Sequence, residues 1–396
     1  MNFCNLCCSS ELKLLIDFGL QPVAKHYLLN RTDAQPTWPV ELYFCESCGL
    51  TQLANACPPE LLYDNYVTLS AWKPQPHAQH EIDIIKKLPT LDVDAKIIEI
   101  GSNDGEFLIK LAENGFRNSL GVEPAKDAYE KAISKGVQTI NSFLNAKSAD
   151  VISQKHGQFD MLISRQNLEH MSDLQEVLQA VGQLVKPSGY VLIEVPNFGC
   201  NLDTKDYSLW EEHVNYFTID TLQFFLSKGG LQIVHQEIFR FSGEGIFIVA
   251  RKMDNVIPNL KYLSSLRKRN YQYAHDYSSF RVAIENYLKK LKRNNKKIAV
   301  YGAGARVFCL INFLKLSAYI DVIVDDQIEK QDKYMPGGKI PITSSDALYD
   351  RSIDVCLLGV NAENEDRVIA KHRKWVETGG EFWSVLPPSE KLIPIW

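Results

Sequence analysis

The segment Ile97-Ile98-Glu99-Ile100-Gly101-Ser102-Asn103-Asp104-Gly105 constrains the fold more than any other stretch. A short apolar run that ends at glycine and passes into helical periodicity over residues 107–114 reads as a buried strand turning into a helix. Further apolar runs at residues 119–122, 161–164, 190–195 and 245–250 alternate with amphipathic stretches such as 174–184. That alternation over residues 96–252 predicts a parallel α/β sheet, whose ligands lie at the carboxyl ends of the strands. The turn departs from G-x-G-x-x-G, and Glu99 and Asp104 flank it. Two carboxylates repel a pyrophosphate and suit a ligand with amino, hydroxyl and sulfonium groups. The next strand ends Gly121-Val122-Glu123-Pro124, which places a carboxylate to accept both hydroxyls of a ribose. A third runs into Ser164-Arg165-Gln166-Asn167-Leu168-Glu169-His170.

At 396 residues the chain exceeds one ordinary core, so two or three domains are expected. The apolar fraction of 45% and charged fraction of 23% are those of a globular protein, and a net charge of -5 gives no general reason to expect a polyanionic partner. No apolar run reaches the roughly 20 residues of a membrane helix, and the first residues lack signal-peptide character. A cytoplasmic protein without membrane or nucleic-acid partners is the expectation. The boundaries read as 1–75, 76–255, a polar helical connector over 256–296, and a second α/β unit over 297–396, with a hinge at residues 72–77.

Nine cysteines include Cys4-x-x-Cys7 and Cys45-x-x-Cys48, the latter followed by Gly49. Two such knuckles can enclose one tetrahedral Zn²⁺, and a closed four-thiolate site is structural rather than catalytic. Cys8 beside Cys7 leaves open which thiol ligates, and a redox role or simple packing are the alternatives. Cys57, Cys200, Cys309 and Cys356 read as buried thiols. In the second α/β unit Tyr301-Gly302-Ala303-Gly304 again follows a strand, and Asp325 ends the next apolar run. This is close to a dinucleotide fingerprint, but Val307 stands where a third glycine belongs.

The central stretch resembles the class I S-adenosylmethionine-dependent methyltransferases, with E-I-G-S-N-D-G as first motif and E-P as second. That resemblance implies that Gly101, Asn103 and Gly105 line the methionine part of the cofactor, with Glu99 near its amino end. It further implies that Glu123 holds the ribose, Phe143 flanks the adenine, and Arg165 and Gln166 close the site. The whole layout is similar to the sugar C-methyltransferases that act on nucleotide-linked 4-keto-6-deoxy sugars. The resemblance is carried in front by F-G-L-Q-P-V-A at 18–24 and F-C-E-S-C-G-L-T-Q-L at 44–53, and in the rear by residues 325–342. The implied architecture is a small zinc-binding domain, a central Rossmann-like methyltransferase domain and a C-terminal Rossmann-like domain. It gives Tyr301, Gly302, Gly304 and Asp325 a role in binding the substrate's nucleotide.

Methylating carbon requires a carbanion equivalent, so a positioned base must remove a proton beside a ketone. Trp210-Glu211-Glu212-His213-Val214-Asn215-Tyr216-Phe217 matches that family's E-H-x-x-Y-F setting. A neutral imidazole suits the task near pH 7, which makes His213 the candidate base. Glu212 is expected to orient it or bind the sugar, and Tyr216 to contact substrate. His170 is a second candidate, and Tyr66 a candidate donor to the ketone. A structural role for His213 remains the alternative, since many methyltransferases carry such a stretch before a late helix. Trp210 stands where the family has tyrosine, and Phe241-Ser242-Gly243-Glu244-Gly245-Ile246 stands where members read H-G-G-S. Oxygen or nitrogen methylation, a nucleic-acid function drawing on the basic run 289–297, and a nicotinamide-dependent oxidoreductase are the rivals. A nucleotide sugar is the expected partner, and a monomer or homodimer the expected state.

Overall fold

The computed structural model describes residues 3–58, 61–62, 75, 77–350 and 352–395. Tyr66 and most of the expected hinge at 72–77 lie outside the described residues. Three sheets organise the rest. The central one has seven strands, formed by Ile97–Ile100, Ser119–Val122, Thr139–Ile140, Phe159–Arg165, Val185–Pro196, Leu231–Arg240 and Glu244–Lys252. Counted in that sequence they lie side by side as 3-2-1-4-5-7-6, and Glu244–Lys252 runs antiparallel to both its neighbours. The order reverses between Ile97–Ile100 and Phe159–Arg165, which opens a crevice at their carboxyl ends.

The rear sheet is parallel throughout, in the order Ile342–Thr343, Val322–Val324, Ile298–Tyr301, Val355–Leu358, Glu381–Ser384. The front sheet is antiparallel and contains Leu12–Pro22, Thr37–Cys45 and Thr51–Leu53. Its fourth strand comes from far along the chain. Asn215–Tyr216, inside the W-E-E-H-V-N-Y-F stretch, pairs with Thr51–Leu53 through Thr51↔Tyr216 and Gln52↔Asn215. The candidate base therefore hangs from a strand that two domains share.

The helix Leu263–Arg293 corrects the expectation of a polar connector. Leu266, Asn270, Tyr273, Phe280, Ile284 and Leu288 are buried on it, and Tyr277, Tyr287 and Leu291 pack beside them. Positions 266, 273, 280 and 287, with 277, 284 and 291, form one apolar seam of seven-residue period, in which the buried Asn270 is hydrogen-bonded to Thr51. Burying an aliphatic or aromatic side chain contributes about 1.5–3 kcal/mol, so this seam stabilises the fold substantially. It packs against Phe18, Leu42 and Phe44 of the front sheet and Ile298, Val300 and Phe313 of the rear unit, all in one continuous core. The basic run at its end is paired with acids: Lys289 with Glu285, Lys292 with Asp321 and Lys296 with Asp354. No helix among the described residues is long and apolar enough to cross a membrane.

Candidate functional site

Cys4, Cys7, Cys45 and Cys48 converge, with Sγ–Sγ distances of 3.5 Å for Cys4–Cys48 and for Cys7–Cys45. Four thiols at that spacing fit a tetrahedral ion with metal–sulfur bonds of about 2.3 Å. Cys8 is exposed and outside the cluster, so the four thiols that converge include Cys7 and not Cys8. Gly49, at φ +79, takes the left-handed turn after the second knuckle, where a Cβ would come within 3.2 Å of Tyr262, Leu263 and Leu266. Tyr262 donates to the Cys48 carbonyl at 2.8 Å, tying the knuckle to the seam helix.

At the first glycine turn, Glu99 is buried at the end of its strand. Its Oε2, with Ser102 Oγ and Ser164 Oγ, is buried without a hydrogen-bond partner among the described residues. Burial pushes the Glu99 carboxyl up to about 8, against the pull of Arg165. Such atoms fit a ligand carrying an ammonium group and hydroxyls. Gly101 and Gly105 have φ of +72 and +78, and Asn103 takes φ +51 while its side chain accepts from the Asp104 N–H at 2.8 Å. A Cβ on Gly101 would meet the Asn167 side chain at 2.7 Å. Glu123 is fixed by the N–H groups of Asn103 (2.9 Å) and Ala125 (2.8 Å), which leaves lone pairs on both oxygens. Phe143 is exposed at the same end of the sheet. Arg165 is buried between Glu81 (2.7 Å) and Glu194 (3.0 Å), over the Phe107 ring. It clamps those acids and does not face the turn as an open cation. Gln166, at φ +48, donates to Glu194 at 2.8 Å.

Gln166 also lines a cavity of about 350 Å³, within the range of small-molecule sites. Its wall includes Glu169, His170, Trp210, Glu212, His213 and Tyr216, with Lys25 from the front domain and Arg306 and Pro387 from the rear. His213 lies with its ring 4.8 Å from the rings of Trp210 and of His170. Burial holds its pKa well below the usual imidazole value, with His170, Lys25 and Arg306 adding to the effect, so it is neutral at pH 7. The Glu212 carboxylate accepts from Lys25 at 3.2 Å, and the Glu212 backbone carbonyl meets His170 Nδ1 at 3.0 Å. Glu212 thus orients His170 rather than His213. Glu211 is a strut, accepting from the Ala24 N–H in front and the Cys309 thiol in the rear. Tyr216 is also committed, since its hydroxyl accepts from the Trp210 N–H and donates to the Trp210 carbonyl, both at 2.9 Å.

The second glycine turn lies apart from this wall. Tyr301 donates to Asp326 at 2.6 Å, and Asp325 accepts from the Ala303 N–H, Lys330 and the Gln327 N–H. Gly302 has φ +103, and Gly304 caps the helix Ala305–Phe313 that delivers Arg306. Arg306 reaches Asp206 (2.7 Å), Ser208 (3.1 Å) and the Ser242 carbonyl (2.8 Å). Sequence reasoning passed over Lys25, Glu169, Asp206 and Arg306. Lys25, Glu169 and Arg306 each lie next to a motif residue, a local signal; Asp206 has none. Cys200, expected to be buried, is half-buried on the cavity wall because the helix Phe198–Thr204 turns it there.

Three family models match successive parts of the chain: a zinc binding domain over residues 4–63, a methyltransferase domain over 77–236, and a C-methyltransferase C-terminal domain over 263–387. The C-methyltransferase NovU of Streptomyces niveus is 26% identical over 402 residues, which cover 97% of this chain and 95% of that one. The ubiquinone biosynthesis O-methyltransferase of Escherichia fergusonii is 29% identical over 105 residues, 26% of this chain and 43% of that protein. A solved SAM-dependent methyltransferase from Archaeoglobus fulgidus, 19% identical, overlays 44% of this chain and 91% of its own with a TM-score of 0.37. With the zinc knuckle, the 3-2-1-4-5-7-6 sheet and the rear α/β unit in that order, the chain belongs to the zinc-binding, S-adenosylmethionine-dependent C-methyltransferases.

Proposed function

We propose that the protein methylates a carbon beside the ketone of a nucleotide-linked keto-deoxy sugar, with His213 as the general base. The observation that carries this reading is the neutral imidazole of His213, held between Trp210 and His170 on a cavity lined by Gln166, whose neighbour Asn167 lies against the first glycine turn. S-adenosylmethionine, when bound, supplies an electrophilic methyl group. Glu99 faces its ammonium, Gly101, Asn103 and Gly105 shape the turn around its methionine part, Glu123 takes the ribose hydroxyls and Phe143 covers the adenine. Arg165 supports the site by fixing Glu194, which in turn holds Gln166.

On the acceptor side His213 removes the carbon-bound proton, and holding the sugar in line supplies much of the acceleration. Arg306 is the rear unit's cation for the nucleotide's phosphates. Tyr301, Gly302, Gly304 and Asp325 contribute by building the turn that aims it. Cys4, Cys7, Cys45 and Cys48 hold one zinc ion, and metal analysis is expected to return one ion per chain. The test is a screen of nucleotide-linked keto sugars with isotopically labelled methyl donor, reading which atom gains the label. A labelled carbon, with solvent exchange of its proton that His213→Asn abolishes, is the expected result. Label on oxygen or nitrogen would overturn the reading.

A further inference from the structure

The helical turn Leu168–His170 puts two consecutive side chains, Glu169 and His170, on the cavity wall. Glu169 is 1% exposed, and both its carboxylate oxygens are buried without a hydrogen-bond partner among the described residues. Arg165, four residues earlier in the chain, pairs instead with Glu81 and Glu194. A charge left in that position would be buried and uncompensated, so the neutral acid is the favoured form. Burial pushes Glu169 up to about 8 against the pull of its own backbone N–H, and Glu194 and Glu212 push the same way as burial.

His170 is the complement. Its Nδ1 meets the Glu212 carbonyl at 3.0 Å. A carbonyl can only accept, so Nδ1 carries the hydrogen and Nε2 presents a lone pair. That Nε2 lies 3.9 Å from Glu169 Oε1, a small side-chain adjustment beyond hydrogen-bond length. Among the described residues, an acid without an acceptor therefore sits beside a base without a donor. Both adjoin the imidazole assigned to proton abstraction, whose ring meets that of His170 edge-on at 4.8 Å. The other charged groups facing the pair are Glu194 on the strand Val185–Pro196, Glu212 ahead of Asn215–Tyr216, and Lys25, which sits on Glu212.

We propose that Glu169 is the proton reserve of the acceptor site: it charges His170, whose Nε2–H then donates to the acceptor's carbonyl oxygen while His213 takes the neighbouring carbon-bound proton. This rests on the carbon-methylation reading above. Burial, with Lys25, holds His170 below the usual imidazole value, so in the resting site the proton stays on Glu169. It moves onto His170 Nε2 only as negative charge builds on the ketone oxygen, and the single Nε2–H is then shared between that oxygen and the Glu169 carboxylate. The C–H bond breaks with its proton going to His213 and its electron pair into the enolate. When the new carbon–carbon bond forms, as the donor's methyl–sulfur bond breaks with its electron pair staying on sulfur, the carbonyl is restored and the borrowed proton returns from His170 to Glu169. The proton on His213 leaves to solvent, one per methyl transferred. Glu169 acts through His170 and is a positioning residue; His170 is the group that touches substrate.

Glu169→Gln keeps the shape and neutrality of the side chain but cannot release a proton. In the infrared difference spectrum of wild type minus E169Q at pH 7, a protonated carboxyl band is expected, vanishing as the pH passes about 8. An ionised carboxylate band at pH 7 would overturn the proposal without any acceptor present. With the keto sugar found in the screen, E169Q is expected to lose about 10²-fold in kcat with KM and donor affinity nearly unchanged. It should also lose the fall in rate that wild type shows above about pH 8, and Glu169→Asp should restore much of the rate. Wild-type kcat in E169Q sinks the idea. If wild type turns over no keto sugar, the function reading fails while the infrared result still decides the state of Glu169.

Discussion

The two glycine turns of this chain look alike in sequence and differ in what surrounds them. Each follows a buried strand, opens a helix and stands at a reversal of strand order. Around the first, Glu99 Oε2, Ser102 Oγ and Ser164 Oγ are buried and unpaired among the described residues. Around the second, protein groups have taken the equivalent positions. Asp325 accepts from the Ala303 N–H, Lys330 and the Gln327 N–H, and Tyr27 of the front domain donates to the Ala303 carbonyl at 2.7 Å. A glycine turn thus marks a place where backbone can approach closely. Buried polar groups left unpaired decide whether the approaching partner is a ligand or another part of the protein.

Several substitutions would break or sharpen this contrast. The largest effect is expected at the cavity that His213 lines: His213→Ala should lower kcat by about 10³-fold with donor affinity intact, read by steady-state kinetics and calorimetry. Glu99→Gln should weaken donor binding by about 10- to 100-fold, the worth of one charge-assisted hydrogen bond. Asp325→Asn, its counterpart at the second turn, should leave donor binding unchanged and cost about 1–3 kcal/mol of stability in denaturant titration. Equal effects of the two on donor binding would erase the distinction.

Donor affinity should also depend on pH. With its pKa pushed up to about 8 by burial, Glu99 is protonated at lower pH and must shed that proton to face an ammonium group. Affinity should therefore rise with pH, by at most about tenfold per unit, and level off above about 8, with proton release on binding below it. E99Q should flatten the profile. Smallest of all, Tyr27→Phe should cost about 1 kcal/mol of stability through the lost bond to the Ala303 carbonyl, with no change in donor affinity.

Much of the fold was legible locally. The period-two and period-3.6 patterns located five central strands, because a strand buried on both faces must be a short apolar run. The edge strands Thr139–Ile140 and Leu231–Arg240 were not found; the first is two residues long, and the second mixes residue types on both faces, with Val234 and Ile238 exposed and His235 and Glu237 half-buried. The seam on Leu263–Arg293 was present in the sequence at seven-residue spacing, but the charges between its apolar positions made it read as solvated. The candidate base stood out by residue type and setting. Its partners did not, since Lys25 and Arg306 lie 188 and 93 residues away along the chain.

By itself the sequence determined which chemistry is available: four thiols in two knuckles, an acidic glycine turn, and an imidazole between aromatic rings. Those are local properties, set by residue type and by spacings of a few positions. The tertiary structure alone decided which groups are satisfied and which are left over. It stitched Asn215–Tyr216 into the front sheet, committed Glu212 to Lys25, and left the Glu169 carboxylate without a hydrogen-bonded side chain among the described residues. Burial and pairing are properties of neighbours brought together across the fold, and the cost of a lone polar atom exists only once those neighbours have excluded water.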